Sequence, residues 1–130
     1  MEITCLNCGE THKTKHYSVQ KYCSVSCQKE FQYQQQVKDW LEGKEKGWTG
    51  TTVQLKSFVR RWLYETRGTK CEECGWDKRH PVDDSILLEV DHIDGDASNC
   101  TPDNLKILCP NCHAMTPTFR RRNKSSVRQR

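Results

Sequence analysis

Leu88-Glu89-Val90-Asp91-His92-Ile93-Asp94-Gly95 lies between two Cys-x-x-Cys pairs, Cys71/Cys74 and Cys109/Cys112, and His113 stands directly behind the second pair. Between the acidic stretch and that pair comes Asp103-Asn104-Leu105. Two kinds of metal chemistry are present at once. Four thiolates suit a closed structural zinc site, whereas Asp, His and Asn suit an open site for a hard catalytic ion. A stretch that carries both points to action on a substrate, not only to maintenance of a shape.

Reading outward, residues 86–90 form a short β-type run and Lys106-Ile107-Leu108 a second. Pro110 suits the first position of a helix, and Pro117 should end it. The order is strand, loop, strand, short helix, with the two Cys pairs holding its base. Adjacent strand residues point to opposite faces, so Asp91 and His92 can share a site only if the strand ends or bends there. Asp94-Gly95-Asp96 is turn-prone and permits that bend, and Asp94 and Asp96 read as turn formers. Asn104 reads as a brace, its amide tying the long loop to backbone near His92. Cys100 is the ninth, odd thiol, outside both ligand sets.

Toward the N-terminus, Cys5-Leu6-Asn7-Cys8 and Cys23-Ser24-Val25-Ser26-Cys27 predict a second four-thiolate zinc site. His12 and His16 are alternative ligands there. Ser24 suits the N-cap of a helix. Its apolar face is Phe31, Val37, Trp40 and Leu41, its opposite face is Gln-rich, and Gly43 suits its stop. Residues 43–50 are Gly-rich and charged and read as a linker. Next, a helix over 52–67 is predicted, with Leu55, Phe58, Val59, Trp62 and Leu63 as a core-facing stripe and Gly68 as its stop. Lys56, Arg60 and Arg67 share another face, either a solvated basic stripe or a contact for a DNA backbone.

The chain has 130 residues, 34% of them hydrophobic, and a mean hydropathy of −0.92. So poor a core needs staples. Eight of the nine cysteines in short-spaced pairs, behind a polar start without the apolar run of a secretion signal, favour zinc over disulfides. No apolar run approaches the ~18 residues of a membrane span. The formal charge of +4 counts every Cys as neutral; eight thiolates on two Zn2+ would bring it to about zero. Charge placement says more. From Phe119 onward Arg120, Arg121, Arg122, Lys124, Arg128 and Arg130 occur with no acidic residue. Such a tail is either solvated or a phosphate contact.

Hydrolysis of a phosphodiester needs a base for water and positive charge for the phosphate and the leaving oxygen. A neutral imidazole does the first near pH 7, and a divalent cation does the second. His92 is the candidate base, with Asp91 and His113 the candidate ligands of that cation. The alternative reading of His113 is a zinc ligand or a helix cap.

Residues 58–123 resemble the HNH endonucleases. The matching pieces are residues 67–76, Leu88 to Gly95, and Asp103-Asn104-Leu105-Lys106-Ile107-Leu108-Cys109-Pro110-Asn111-Cys112-His113, while Thr116 to Asn123 resembles the phage homing-type members. The resemblance implies a ββα-metal fold, with His92 as general base and Asn104 as the middle letter of the motif. It implies that Asp91 and His113 bind Mg2+ or Mn2+, and that Cys71, Cys74, Cys109 and Cys112 hold the structural zinc of the zinc-containing branch. That family often has a further ligand or a Lys beyond its last motif His; here Met115, Thr116 and Pro117 stand there, and Asn123 is either a ligand or a cap.

The expected fold is therefore a small, zinc-stapled α+β protein. It comprises an N-terminal treble-clef-like finger with its helix (1–43), a linker (44–51), an HNH nuclease domain (52–123) and a basic tail (124–130). The expected activity is metal-dependent cleavage of double-stranded DNA, nicking one strand as a monomer, in the cytoplasm (of a bacterial host if phage-encoded). A non-catalytic double-zinc nucleic-acid adaptor would explain the paired cysteines and the basic tail equally well. It would not explain the spacing of Asp91, His92, Asn104 and His113.

Overall fold

The computed structural model describes residues 2–13, 21–124 and 126–127; His16, Arg128 and Arg130 lie outside them. The chain is a small α+β protein, and the described residues form three two-stranded antiparallel sheets and three α-helices. Among the described residues no helix is long and apolar enough to cross a membrane.

β1 (Glu2–Thr4) and β2 (Thr11–Lys13) form a hairpin whose tip carries Cys5 and Cys8. Gly9, at φ +73, donates its N–H to the Cys5 carbonyl (2.9 Å), and the Cys5 N–H reaches the Glu10 carbonyl (3.0 Å). The same turn recurs at Cys71: Gly75, at φ +79, donates to the Cys71 carbonyl (2.9 Å), and the Cys71 N–H reaches that of Trp76 (2.9 Å). A left-handed residue is needed to fold the chain back under its sulfurs, and Gly adopts that conformation without strain.

α1 (Val25–Leu41) starts where the sequence predicts, with the Ser24 hydroxyl accepting the Cys27 N–H (3.1 Å). It ends at Glu42 before Gly43, which takes φ +82. Its buried stripe is Tyr33, Val37 and Trp40; Phe31 is half-buried, and Leu41, expected in the core, is 51% exposed. Tyr33 is held by α2 (Ser57–Arg67): its hydroxyl donates to Glu65 (2.9 Å), and the Arg61 guanidinium lies 3.7 Å over its ring.

Residues 43–50 are not a plain linker, and 52–56 are not helical. β3 (Trp48–Thr49) and β4 (Gln54–Leu55) pair as a hairpin. A Cβ on Gly47 would stand 3.1 Å from the Trp40 indole nitrogen and 3.2 Å from the Cys100 Cβ, so a bare backbone is what lets the hairpin approach. Packing overrides helical periodicity here, because Val53 is buried in the connecting turn at φ +52. α2 then runs to Gly68, at φ +87.

β5 (Glu89–His92) pairs with β6 (Leu105–Leu108) in the register Glu89↔Leu108 to His92↔Leu105. Strand pairing thus begins at Glu89, while Ile86 makes an isolated bridge to Arg79. α3 (Pro110–Ala114) follows, with Pro110 in its first turn. Leu105 and Ile107 join Val59, Leu63 and Trp40 in one core, while Leu108 on the other face packs on Cys71 and Cys109. Val59, Leu63 and Ile107 are fully buried, each such side chain contributing about 1.5–3 kcal/mol. The outer edge of β6 is tied to the Cys71 knuckle, because Glu72 donates its N–H to the Ile107 carbonyl (2.8 Å).

Candidate active site

The sulfurs come together in two quartets, Cys5/Cys8/Cys23/Cys27 and Cys71/Cys74/Cys109/Cys112, each with all ligand atoms within 4.8 Å of one another. Cys8 and Cys23 are 3.9 Å apart, Cys23 and Cys27 3.5 Å, and Cys74 and Cys109 3.7 Å. Tetrahedral zinc with Zn–S bonds of about 2.3 Å sets its sulfurs about 3.8 Å apart. Thiols alone cannot share such a space in one charge state. The backbone N–H of Cys8 leads those that bring the Cys5 thiol down to about 6, while Cys27 pushes Cys23 up to about 12. Burial pushes Cys71 up, but backbone donors at Cys74, Cys109 and Glu73 outweigh it and leave it at about 6; beside Cys109, Cys112 is pushed up to about 12. A dication that holds all four as thiolates resolves the conflict. The two quartets are consistent with two zinc ions. His12 stands beside Cys8 (3.8 Å) outside the four-sulfur set.

Above the second quartet, β5, the loop after it, α3 and the tail enclose a cavity of about 580 Å³. Glu89, Asp91, His92, His113, Arg120 and Asn123 line it. Glu89 and Asp91 share one face of β5 because strand side chains alternate. His113 reaches both from α3: its Nδ1 is 2.5 Å from Glu89 Oε2, and its Nε2 is 3.4 Å from Asp91 Oδ1. The Phe119 ring packs edge-on to the imidazole at 5.1 Å.

Asp91 is 7% exposed, the one buried charged side chain among the described residues. A buried carboxylate needs positive charge nearby. Two states satisfy the geometry. An imidazolium would donate Nδ1–H to Glu89 and set its charge beside Asp91. A neutral ring donating Nδ1–H to Glu89 would aim its Nε2 lone pair at Asp91, leaving two acceptors that a cation between them would join. Two ligands at right angles on bonds of about 2.1 Å lie about 3 Å apart, close to the observed spacing. The residues therefore fit a small divalent ion, which Asp91 and His113 would hold, with Glu89 behind the imidazole.

His92 is the last residue of β5, so the strand ends there, and both it and Asp91 are among the residues lining the cavity. The His92 Nε2 is 3.5 Å from the Cys100 Sγ, and that thiol donates to the Ala97 carbonyl (3.2 Å). The Cys100 carbonyl accepts the Trp40 indole N–H (2.6 Å), which joins this corner to α1.

Asn104 closes the loop between the strands. Its Oδ1 accepts the Asp94 N–H (3.0 Å), and its Nδ2 donates to Asp94 Oδ1 (2.9 Å) and to the Asn99 carbonyl (2.8 Å). Asn99, the Asp96 N–H and Asn104 together hold the Asp94 carboxyl below the usual carboxylate range. Asn104→Ala removes three hydrogen bonds at about 1 kcal/mol each. It is expected to cost about 3 kcal/mol in chemical denaturation; an unchanged midpoint would mean that the loop is held elsewhere.

The basic residues divide. Lys56 pairs with Glu45 (2.8 Å), and Arg67 donates to the carbonyls of Leu105 (2.5 Å) and Pro102 (2.8 Å), so two of the three expected on a DNA-facing stripe are drawn inward by structural partners. Arg60 is exposed, as are Arg120, Arg121, Arg122 and Lys124. Asn123 donates to the Gly95 carbonyl (2.7 Å), a cap on the His92 loop. The sequence alone does not single out Glu89; its signal there is the i, i+2 spacing to Asp91, which gains meaning only once α3 is placed over that face.

Over 54 residues, 42% of this chain, the sequence is 50% identical to the H-N-H endonuclease F-TflIV of Escherichia phage T5. The match covers 23% of the phage protein, so this chain corresponds to less than a quarter of that relative. No protein-family model matches the chain, and no solved structure gives a significant match.

Proposed function

We propose that the chain is a metal-dependent HNH endonuclease that hydrolyses phosphodiester bonds in double-stranded DNA, with β5, β6 and α3 as its ββα-metal unit. The observation that carries the reading is the 3.4 Å approach of Asp91 Oδ1 and His113 Nε2 in a cavity that His92 also lines. The similarity to a phage H-N-H endonuclease supports it.

Asp91 and His113 hold a divalent cation, Mg2+ or Mn2+, which supplies positive charge for the phosphate and the leaving oxygen. His92 is the base, its Nε2 beside the Cys100 thiol, whose proton is on the Ala97 carbonyl. His92 takes a proton from the attacking water as its oxygen bonds to phosphorus and the P–O3′ bond breaks. Asn104 keeps the loop that positions His92 in place. Arg60 and the basic residues of the tail grip the backbone, and the N-terminal zinc module with α1 meets flanking duplex. One such site cuts one strand per docking, so a monomer nicks.

The direct test is nicking of supercoiled plasmid by the purified zinc-loaded protein, with Mg2+ or Mn2+ and with EDTA. Cation-dependent nicking supports the reading, while tight DNA binding without cleavage would leave a zinc-stapled adaptor. A second test addresses Glu89. Glu89→Gln is expected to weaken Mn2+ binding by about 10–100-fold in calorimetric titration; unchanged affinity would mean that the carboxylate does not orient the ligand.

A further inference from the structure

We propose that Arg120 is a catalytic residue, its guanidinium clamping the phosphate under attack, and not merely one more backbone anchor. The proposal rests on the nuclease reading above. Arg120, Arg121, Arg122 and Lys124 all line an outer groove on the tail. Of these four, only Arg120 also lines the cavity that holds Asp91, His92 and His113. It stands where the basic groove opens into the site.

The segment that carries it is fixed at both ends. On one side Phe119 packs against the His113 ring (5.1 Å). On the other, Asn123 donates to the Gly95 carbonyl (2.7 Å), and the two surfaces fit so closely that a Cβ on Gly95 would meet Asn123 Oδ1 at 2.5 Å and Thr118 Cγ2 at 3.0 Å. Between these anchors the chain makes a single 3-10 turn over Arg120–Arg122. Arg120 takes φ +51 there, a conformation that suits glycine and disfavours residues with a side chain. A long charged residue in that position signals a requirement for the side chain.

Electrostatics supply the requirement. The other charged residues lining the cavity are the carboxylates Glu89 and Asp91, which repel a phosphate. Among the described residues Arg120 brings the one guanidinium on its wall, held 4.8 Å over the Phe119 ring. Its planar fork matches two phosphate oxygens, and its charge is placed before the reaction begins.

The experiment compares single-turnover nicking of supercoiled plasmid by the full zinc-loaded chain, wild type, Arg120→Gly, Arg120→Lys and Arg121→Ala, with duplex affinity measured in EDTA. Arg120→Gly removes the guanidinium while suiting the φ of the turn. It is expected to lower the rate at saturating DNA by about a hundredfold or more, and Arg120→Lys should recover part of it. Arg121→Ala should instead raise the DNA concentration needed for half-maximal rate and reduce the salt dependence of binding by about one phosphate contact. If Arg120→Gly reaches a saturated rate within a few-fold of wild type, Arg120 is only an anchor and the proposal fails. If wild type itself does not nick, it is the nuclease reading that fails, before Arg120 is tested.

Discussion

His92→Ala is expected to cut the single-turnover rate of plasmid nicking by about 10²–10⁴-fold, the usual contribution of a positioned general base, while duplex affinity in EDTA stays at the wild-type level. The split follows from where the ring sits. His92 ends β5 and is half-buried, and its Nε2 meets the Cys100 thiol, whereas Asp91 and His113 meet each other. Its removal leaves Glu89, Asp91 and His113 in contact, so Mn2+ binding should persist in calorimetric titration. Asp91→Ala should behave differently, losing the cation and the cleavage together, because it takes away one of the two facing acceptors. A His92→Ala protein that nicks at the wild-type rate would remove the imidazole from the chemistry. One that loses Mn2+ affinity as Asp91→Ala does would make His92 a ligand instead.

The parts of this fold that were legible in the sequence are those that local stereochemistry decides. The short spacings of Cys5/Cys8, Cys23/Cys27, Cys71/Cys74 and Cys109/Cys112 predict two four-sulfur clusters, and both quartets assemble. Ser24, Gly43, Gly68 and Pro110 mark helix ends for reasons contained within a few residues, and each stands at the end it marks. What stayed illegible depends on partners far along the chain. The stripe from Leu55 to Leu63 reads as one helix, yet Leu55 pairs with Trp48 in a strand, because Gly47 can come against Trp40 and Cys100. Lys56 and Arg67 look like surface charges until Glu45 and the carbonyls of Pro102 and Leu105 are seen beside them. The same holds within the site. Asp91, His92 and His113 are separable by residue type alone. Glu89 acquires a role only from β5 register and the placement of α3, and Asn123 only from Gly95, 28 residues away.

The other large effect concerns Cys109, which joins the two chemistries. Cys109→Ala should unfold the site. Apparent zinc binding in structural sites is worth about 10–16 kcal/mol, as much as the whole stability of an ordinary domain, about 5–15 kcal/mol. In this chain that sulfur also accepts the Cys112 N–H (3.4 Å) as the cap of α3, packs with Leu108 at the end of β6 and faces Cys74. α3 has five residues, too few to persist without tertiary support. Once the sulfur is lost, the helix releases His113, and Asp91 is left as a buried carboxylate without its partner. The expected result is a loss of one zinc equivalent by colorimetric release, a collapse of the near-ultraviolet signal, and no detectable nicking at any Mg2+ concentration. Cys8→Ala makes the contrast. It should also lose one equivalent, yet Asp91 and His113 lie on β5 and α3, far along the chain from that quartet, so nicking should persist with weakened DNA binding. A Cys109→Ala protein that keeps its tertiary signal and still cleaves would show that β6 and Leu108 hold α3 without the metal, and that the zinc is dispensable to the geometry on which the imidazole and its carboxylates depend.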